Sequence, residues 1–138
     1  MSASEAVVRL EGVTRTYLQD SVAVHALRGV NLEIRKGDFA VLVGPSGSGK
    51  TTLLNMMGGL DSPTEGRIWV AGSEIARLSK AALSQVRLRK IGFVFQEFNL
   101  IPVLSALENV EFVMLLQGLS ESQRRSRASM LLKELGLE

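Results

Sequence analysis

Residues Gly44-Pro45-Ser46-Gly47-Ser48-Gly49-Lys50-Thr51 match the pattern G-x-x-x-x-G-K-[ST] at every fixed position. What surrounds them has the matching character. Phe39-Ala40-Val41-Leu42-Val43 is a short apolar run of the kind expected for a buried parallel strand, and Thr52-Leu53-Leu54-Asn55-Met56-Met57 is helix-compatible. Strand, glycine loop and helix start therefore follow one another in the order a phosphate-binding loop requires. Glycines here let successive backbone N–H groups converge on an anion at the positive end of a helix dipole. Lys50 supplies a charge for the β- and γ-phosphates, and the Thr51 hydroxyl is a ligand for Mg²⁺. A Gly/Ser-rich turn that happens to end in Lys-Thr is the competing reading, and the order of the flanking elements argues against it. The implied ligand is a nucleoside triphosphate, with Gly44, Ser46, Gly47, Ser48, Gly49, Lys50, Thr51 and Thr52 as its contacts.

A chain of 138 residues has room for one domain with a real core. Hydrophobic content of 46% beside 22% charged residues is ordinary for a soluble globular protein. No apolar stretch approaches the ~18–20 residues that cross a bilayer, and Met-Ser-Ala-Ser-Glu is no secretory signal. The absence of cysteine removes disulfides and thiolate metal sites, and it fits a reducing compartment. A net charge of +2 is too small to mark a nucleic-acid partner.

Short strands are expected over 6–13 and 30–35, then a turn at Lys36-Gly37-Asp38 into the buried strand 39–43. Asp61-Ser62-Pro63-Thr64-Glu65-Gly66 is a dense turn signal, and Arg67 to Ala71 a further strand. Lys80 to Arg89 suits a helix, and Ile91-Gly92-Phe93-Val94-Phe95 a second buried strand ending at Gln96. Ser105-Ala106-Leu107-Glu108 and Ser120-Glu121-Ser122-Gln123 have capping-box spacing and open two more helices. The second places Ala128, Leu131, Leu132 and Leu135 on one stripe and stops at Gly136. The first is apolar around most of its circumference, which predicts exposed surface unless the second folds back over it.

Three features outside the loop narrow the choice of family. Tyr17 precedes it, where a ring could stack on a base or serve as a half-buried strand residue. An antiparallel strand is inserted between Gly66 and Gly72. Gln96 ends an apolar strand with an exposed amide. Together with Gly44 to Asn55, Gly59-Leu60-Asp61-Ser62-Pro63-Thr64-Glu65-Gly66, Ile91 to Pro102 and Leu107-Glu108-Asn109-Val110, these resemble the ABC transporter ATPase subunits. The resemblance runs from about Val7 to the end of the chain and points to the macrolide-export, lipoprotein-release and cell-division branch. It implies an α/β fold: the P-loop NTPase core of a nucleotide-binding domain, an antiparallel β subdomain, and the start of a helical subdomain. The first two span about 1–97 and the last about 98–138.

The resemblance further implies that Tyr17 stacks on adenine, and that Gln96 contacts Mg²⁺ and the attacking water. It implies ATP and Mg²⁺ as cofactors, a membrane permease and a second ATPase subunit as partners, and residence on the cytoplasmic face of the membrane. Lys50 and Gln96 are the candidate catalytic residues, and Thr51 and Gln96 the candidate metal ligands. An LSGGQ-type signature, an apolar strand ending in Asp-Glu and a later switch histidine do not occur; the only histidine, His25, precedes the loop and reads as a surface or strand residue. The expectation is a fragment of a transport ATPase that holds ATP but turns it over poorly. A DNA-repair or cell-division ATPase and a non-catalytic interaction module stay open. A GTPase would need Asn-Lys-x-Asp, which does not occur.

Overall fold

The computed structural model describes residues 6–137, which divide into two compact units between Arg87 and Leu88. The first is built on a long hairpin, β1 (Ala6–Gln19) and β2 (Val22–Arg35). Asp20 and Ser21 join them with φ of 47° and 73°. Two consecutive left-handed residues give a turn whose twist matches that of the strands, so β1 passes directly into β2. The ladder shifts register between Ala6 and Val8, Leu10 and Val13, Val13 and Arg15, and Arg15 and Thr16. β2 ends in the expected alternation: Val30, Leu32 and Ile34 are half-buried, while Asn31, Glu33 and Arg35 are exposed. His25 pairs with Thr16 across the hairpin, its Nδ1 3.0 Å from the Thr16 hydroxyl, which makes it an exposed strand residue.

β3 (Glu65–Val70) pairs antiparallel with the other edge of β1, and β4 (Ser73–Glu74) closes the sheet in the order β2-β1-β3-β4. The inserted antiparallel strand expected between Gly66 and Gly72 is therefore present. Leu10 lies opposite Ile68, and both are fully buried. The residues between point outward: Arg9 and Arg67 lie 4.2 and 4.5 Å from the Trp69 ring, and Arg67 donates twice to Glu74, at 3.0 Å each. That pair draws the Glu74 carboxyl below its ordinary pKa. Helix α1 (Lys50–Met57) buries Leu53 and Met56 with the apolar residues of the sheet. It ends in a Schellman motif, with Gly59 at φ 65°, where the N–H of Leu60 reaches the Asn55 carbonyl at 2.8 Å. After a short 3₁₀ turn at Ile75–Arg77 comes α2 (Lys80–Lys90), whose Arg87 donates to the Gly59 carbonyl at 2.9 Å.

Two expected strands do not form. Residues 39–43 and 91–95 have no ladder partners among the described residues. Phe39 is 94% exposed and Val94 101%. An apolar run becomes a parallel strand only when neighbouring strands take up its N–H and C=O groups and helices cover both faces. Neither condition holds for these two segments.

In the second unit, α3 (Ala106–Leu116) and α4 (Glu121–Glu134) pack against each other. Both start where the capping boxes predict. The Asn109 side chain accepts from the N–H of Ile101 and donates to the carbonyls of Ile101, Leu104 and Ser105, so it braces the turn before α3. Of the predicted α4 stripe only Ala128 is fully buried. Phe112, Val113, Leu115 and Leu116 of α3 stay exposed, so α4 covers only part of that helix.

Candidate functional site

The loop 44–49 delivers the chain into α1 through Gly49, which has φ 91°. A Cβ at this position would sit 2.6 Å from the Ala26 carbonyl oxygen of β2, so only glycine allows the loop to lie this close to the sheet. α1 then opens with no side-chain cap and no acidic residue in its first turn. Its ladder begins with the Leu53 N–H on the Gly49 carbonyl at 2.9 Å. The N–H groups of Lys50, Thr51 and Thr52 precede it, and helical geometry gives them no intrahelical acceptor. Their partial positive charges add to the dipole of the helix at this end.

Lys50 is folded back over the loop. Its ammonium donates to the carbonyls of Gly44 at 2.9 Å and Pro45 at 2.7 Å, which holds a positive charge over the loop. Ser46, Gly47 and Ser48 are exposed at the rim, and Thr52 is half-buried. A cavity of about 320 Å³ opens beside Gly44, Pro45, Gly49 and Lys50. A larger one, about 510 Å³, lies between Thr14, His25, Arg28 and Glu65. It contains no residue of the loop, so the smaller cavity is the one that bears on an anion at the start of α1.

Thr51 is exposed on the first turn of α1, and its hydroxyl makes no hydrogen bond among the described residues. The described residues hold no cluster of three or more acidic or imidazole side chains able to hold a metal ion. A lone hydroxyl beside an uncapped helix start would fit Mg²⁺ brought in by phosphates, since Mg²⁺ prefers few protein ligands and keeps phosphate oxygens and waters.

Of the residues the sequence singles out, Gly44, Ser46, Gly47, Ser48, Gly49, Lys50, Thr51 and Thr52 form this one continuous site. Tyr17 belongs to the same unit, on β1, and is 36% exposed. Its hydroxyl donates to Asp61 Oδ2 at 2.7 Å, and the Arg15 guanidinium lies 4.4 Å from its ring centre. Neither partner stands out in the sequence as a site residue. Arg15 could have been found as the same-face neighbour two residues before Tyr17 on a strand, whereas nothing local ties Tyr17 to a residue 44 positions away. Gln96 is exposed in the second unit, outside any strand, and its assignment rests on the resemblance alone.

A family model described as ABC transporter matches residues 27–138. An uncharacterized ABC transporter ATP-binding protein of Thermotoga maritima is 48% identical over 131 residues, covering 95% of this chain and 56% of the relative. The macrolide export ATP-binding/permease protein MacB of Brucella abortus is 43% identical, over 98% of this chain and 21% of its own length. The lipoprotein-releasing system ATP-binding protein LolD of Chromohalobacter salexigens is 42% identical, over 98% and 57%. Among solved structures, the dimeric post-hydrolysis state of the ATP-binding cassette MJ0796 of Methanocaldococcus jannaschii, bound to ADP and Pi, superposes with a TM-score of 0.86. It is 46% identical and covers 95% of this chain and 58% of that one. The chain thus spans little more than half of several relatives and about a fifth of MacB. It belongs to the ABC transporter family, and its fold is that of part of an ATP-binding cassette.

Proposed function

We propose that this chain is the ATP-binding part of an ABC transporter ATPase that drives export or lipoprotein release through a membrane permease. The observation that carries the reading is the uncapped start of α1, with Lys50 held over the loop at 2.9 and 2.7 Å from two of its carbonyls. Fixed N–H groups and a charged ammonium converge where a triphosphate would lie, and charge-assisted hydrogen bonds of this kind are the strong ones. Lys50 would leave its carbonyls for β- and γ-phosphate oxygens, and Tyr17 would take the adenine. Thr51 would hold Mg²⁺ together with the phosphates; a role for Gln96 in contacting Mg²⁺ and the attacking water is carried by the family resemblance alone. Bound Mg²⁺ would supply charge neutralisation at the β- and γ-oxygens.

The names of MacB and LolD support the export and lipoprotein-release readings, and the dimeric cassette supports a second ATPase subunit as partner. No described helix is long and apolar enough to cross a membrane. In the proposal the chain works from the cytoplasmic face, against a permease that spans the bilayer, as the family resemblance implies. The 138 residues bind ATP with turnover at background, because the sequence has no apolar strand ending in Asp-Glu to hold the metal and polarise water. Titration with ATP, GTP and Mg²⁺ beside a phosphate-release assay tests both statements. Saturable, Mg²⁺-dependent ATP binding without release is expected. Failure to bind ATP would overturn the first statement, and robust turnover would overturn the second.

A further inference from the structure

Tyr17 is held by more than its strand. One carboxylate, that of Asp61, uses both of its oxygens on it: Oδ2 accepts from the Tyr17 hydroxyl at 2.7 Å, and Oδ1 accepts from Arg15 at 2.8 Å. The same guanidinium covers one face of the Tyr17 ring at 4.4 Å. Asp61 is fixed in turn. Its own N–H and that of Leu60 both reach the Asn55 carbonyl in α1, at 3.3 and 2.8 Å, and the Ser62 N–H donates to Oδ1 at 2.7 Å. Further along the same turn, Thr64 donates its N–H to the Thr14 carbonyl at 2.9 Å and accepts from the Thr16 N–H at 3.0 Å. Ring tip, ring face and backbone are thus tied to the turn that leaves α1.

We infer that Asp61 and Arg15 are positioning residues for nucleotide binding, which hold the Tyr17 ring as a rigid platform for a purine base. The inference rests on the proposed stacking role of Tyr17. A phenol on a strand turns about two side-chain torsions, and freezing them on ligand binding costs affinity. Here both are restrained beforehand, at the hydroxyl and at one face. The guanidinium covers one ring face and Asp61 neutralises its charge; in the inference the base takes the opposite face. Because Asp61 hangs from the last turn of α1 while the phosphates would lie at its first turn, one short helix sets the positions of both ends of the nucleotide.

Binding titrations with Mg²⁺-ATP, and with Mg²⁺ and inorganic triphosphate as a base-free probe, separate the roles. Tyr17→Ala should lower ATP affinity by roughly 5- to 150-fold and leave triphosphate unchanged. Tyr17→Phe, which keeps the ring and loses the bond to Asp61, should lower ATP affinity about three- to tenfold. Asp61→Ala should do the same, and should cost nothing more when added to Tyr17→Ala; Asp61→Asn, which keeps an acceptor, should recover part of the loss. Weakening of ATP and triphosphate by the same factor in Asp61→Ala would show that Asp61 acts through α1 and overturn the inference. So would a rise in ATP affinity in Arg15→Ala, which would place the guanidinium in the seat of the base. Sensitivity of ATP binding to Tyr17→Ala but not to Tyr17→Phe or Asp61→Ala would defeat positioning while sparing stacking. Insensitivity to Tyr17→Ala would remove the stacking reading itself. Should Asp61→Ala fail to fold, Tyr17→Phe carries the test alone.

Discussion

Helices α1 and α3 begin in opposite ways. At α3 the Ser105 hydroxyl accepts from the Glu108 N–H at 3.3 Å, and the Glu108 carboxylate accepts from the Ser105 N–H at 2.8 Å. Side chains of the helix answer its own orphan donors, and an acid sits in the first turn to meet the dipole. At α1 none of this is present; a lysine is added where an acid would be favourable, and the chain enters through a left-handed glycine. Each departure leaves the helix less stable alone and better able to receive an anion. On the proposed function, the helix start that serves only the fold is closed by its own sequence, and the one that would serve a ligand is left open.

The largest effect expected from this contrast is at the open end. Lys50→Ala should lower ATP affinity by about two orders of magnitude, since a charged donor to several phosphate oxygens is lost; calorimetric titration reads it, and an unchanged affinity breaks the contrast. Next comes Gly49→Ala. A methyl group 2.6 Å from the Ala26 carbonyl, at φ 91°, should destabilise the first unit by about 1–3 kcal/mol, read from denaturant midpoints. At the closed end, Ser105→Ala should cost ~1 kcal/mol of stability and leave ATP affinity untouched. A change in affinity there would mean that the two helix starts are not independent.

The smallest effect is a pH dependence confined to α3. Hydrogen bonds from the Ser105 hydroxyl and then its N–H hold the Glu108 carboxyl below its ordinary value of 4.5. A carboxyl whose pKa is lowered by folding adds stability above that ordinary value, and loses it as pH falls through the lowered one. The α3 contribution to stability should therefore persist at neutral pH and fade in acid, more in the wild type than in Glu108→Gln. Equal acid sensitivity of the two proteins would remove Glu108 as the cause.

Both helix starts were legible in the sequence because each is written within a few residues: Ser105 and Glu108 in one case, Gly49 and Lys50 in the other. The four-stranded sheet was half legible. The alternation from Val30 to Arg35 pointed to its strand, yet β1 extends to Gln19 because the Asp20-Ser21 turn lets the hairpin continue, and Asp-Ser is a weak turn signal. Phe39 to Val43 and Ile91 to Phe95 read as strands and are not strands in this chain. Apolar character is a property of a segment, whereas a strand is a property of a pair, and neither segment has a ladder partner among the described residues. The clamp on Tyr17 was invisible for a related reason, since Asp61 reaches it only after the chain has passed through α1.

The open end of α1 can be watched directly. Backbone amide shifts recorded while inorganic triphosphate and Mg²⁺ are titrated into the chain report which N–H groups meet the anion. Saturable shifts at Gly47, Gly49, Lys50, Thr51 and Thr52, with Ala106, Leu107 and Glu108 unmoved, are the expected result. Shifts of equal size at both helix starts, or none at the loop, would contradict the claim that α1 is left open for a phosphate.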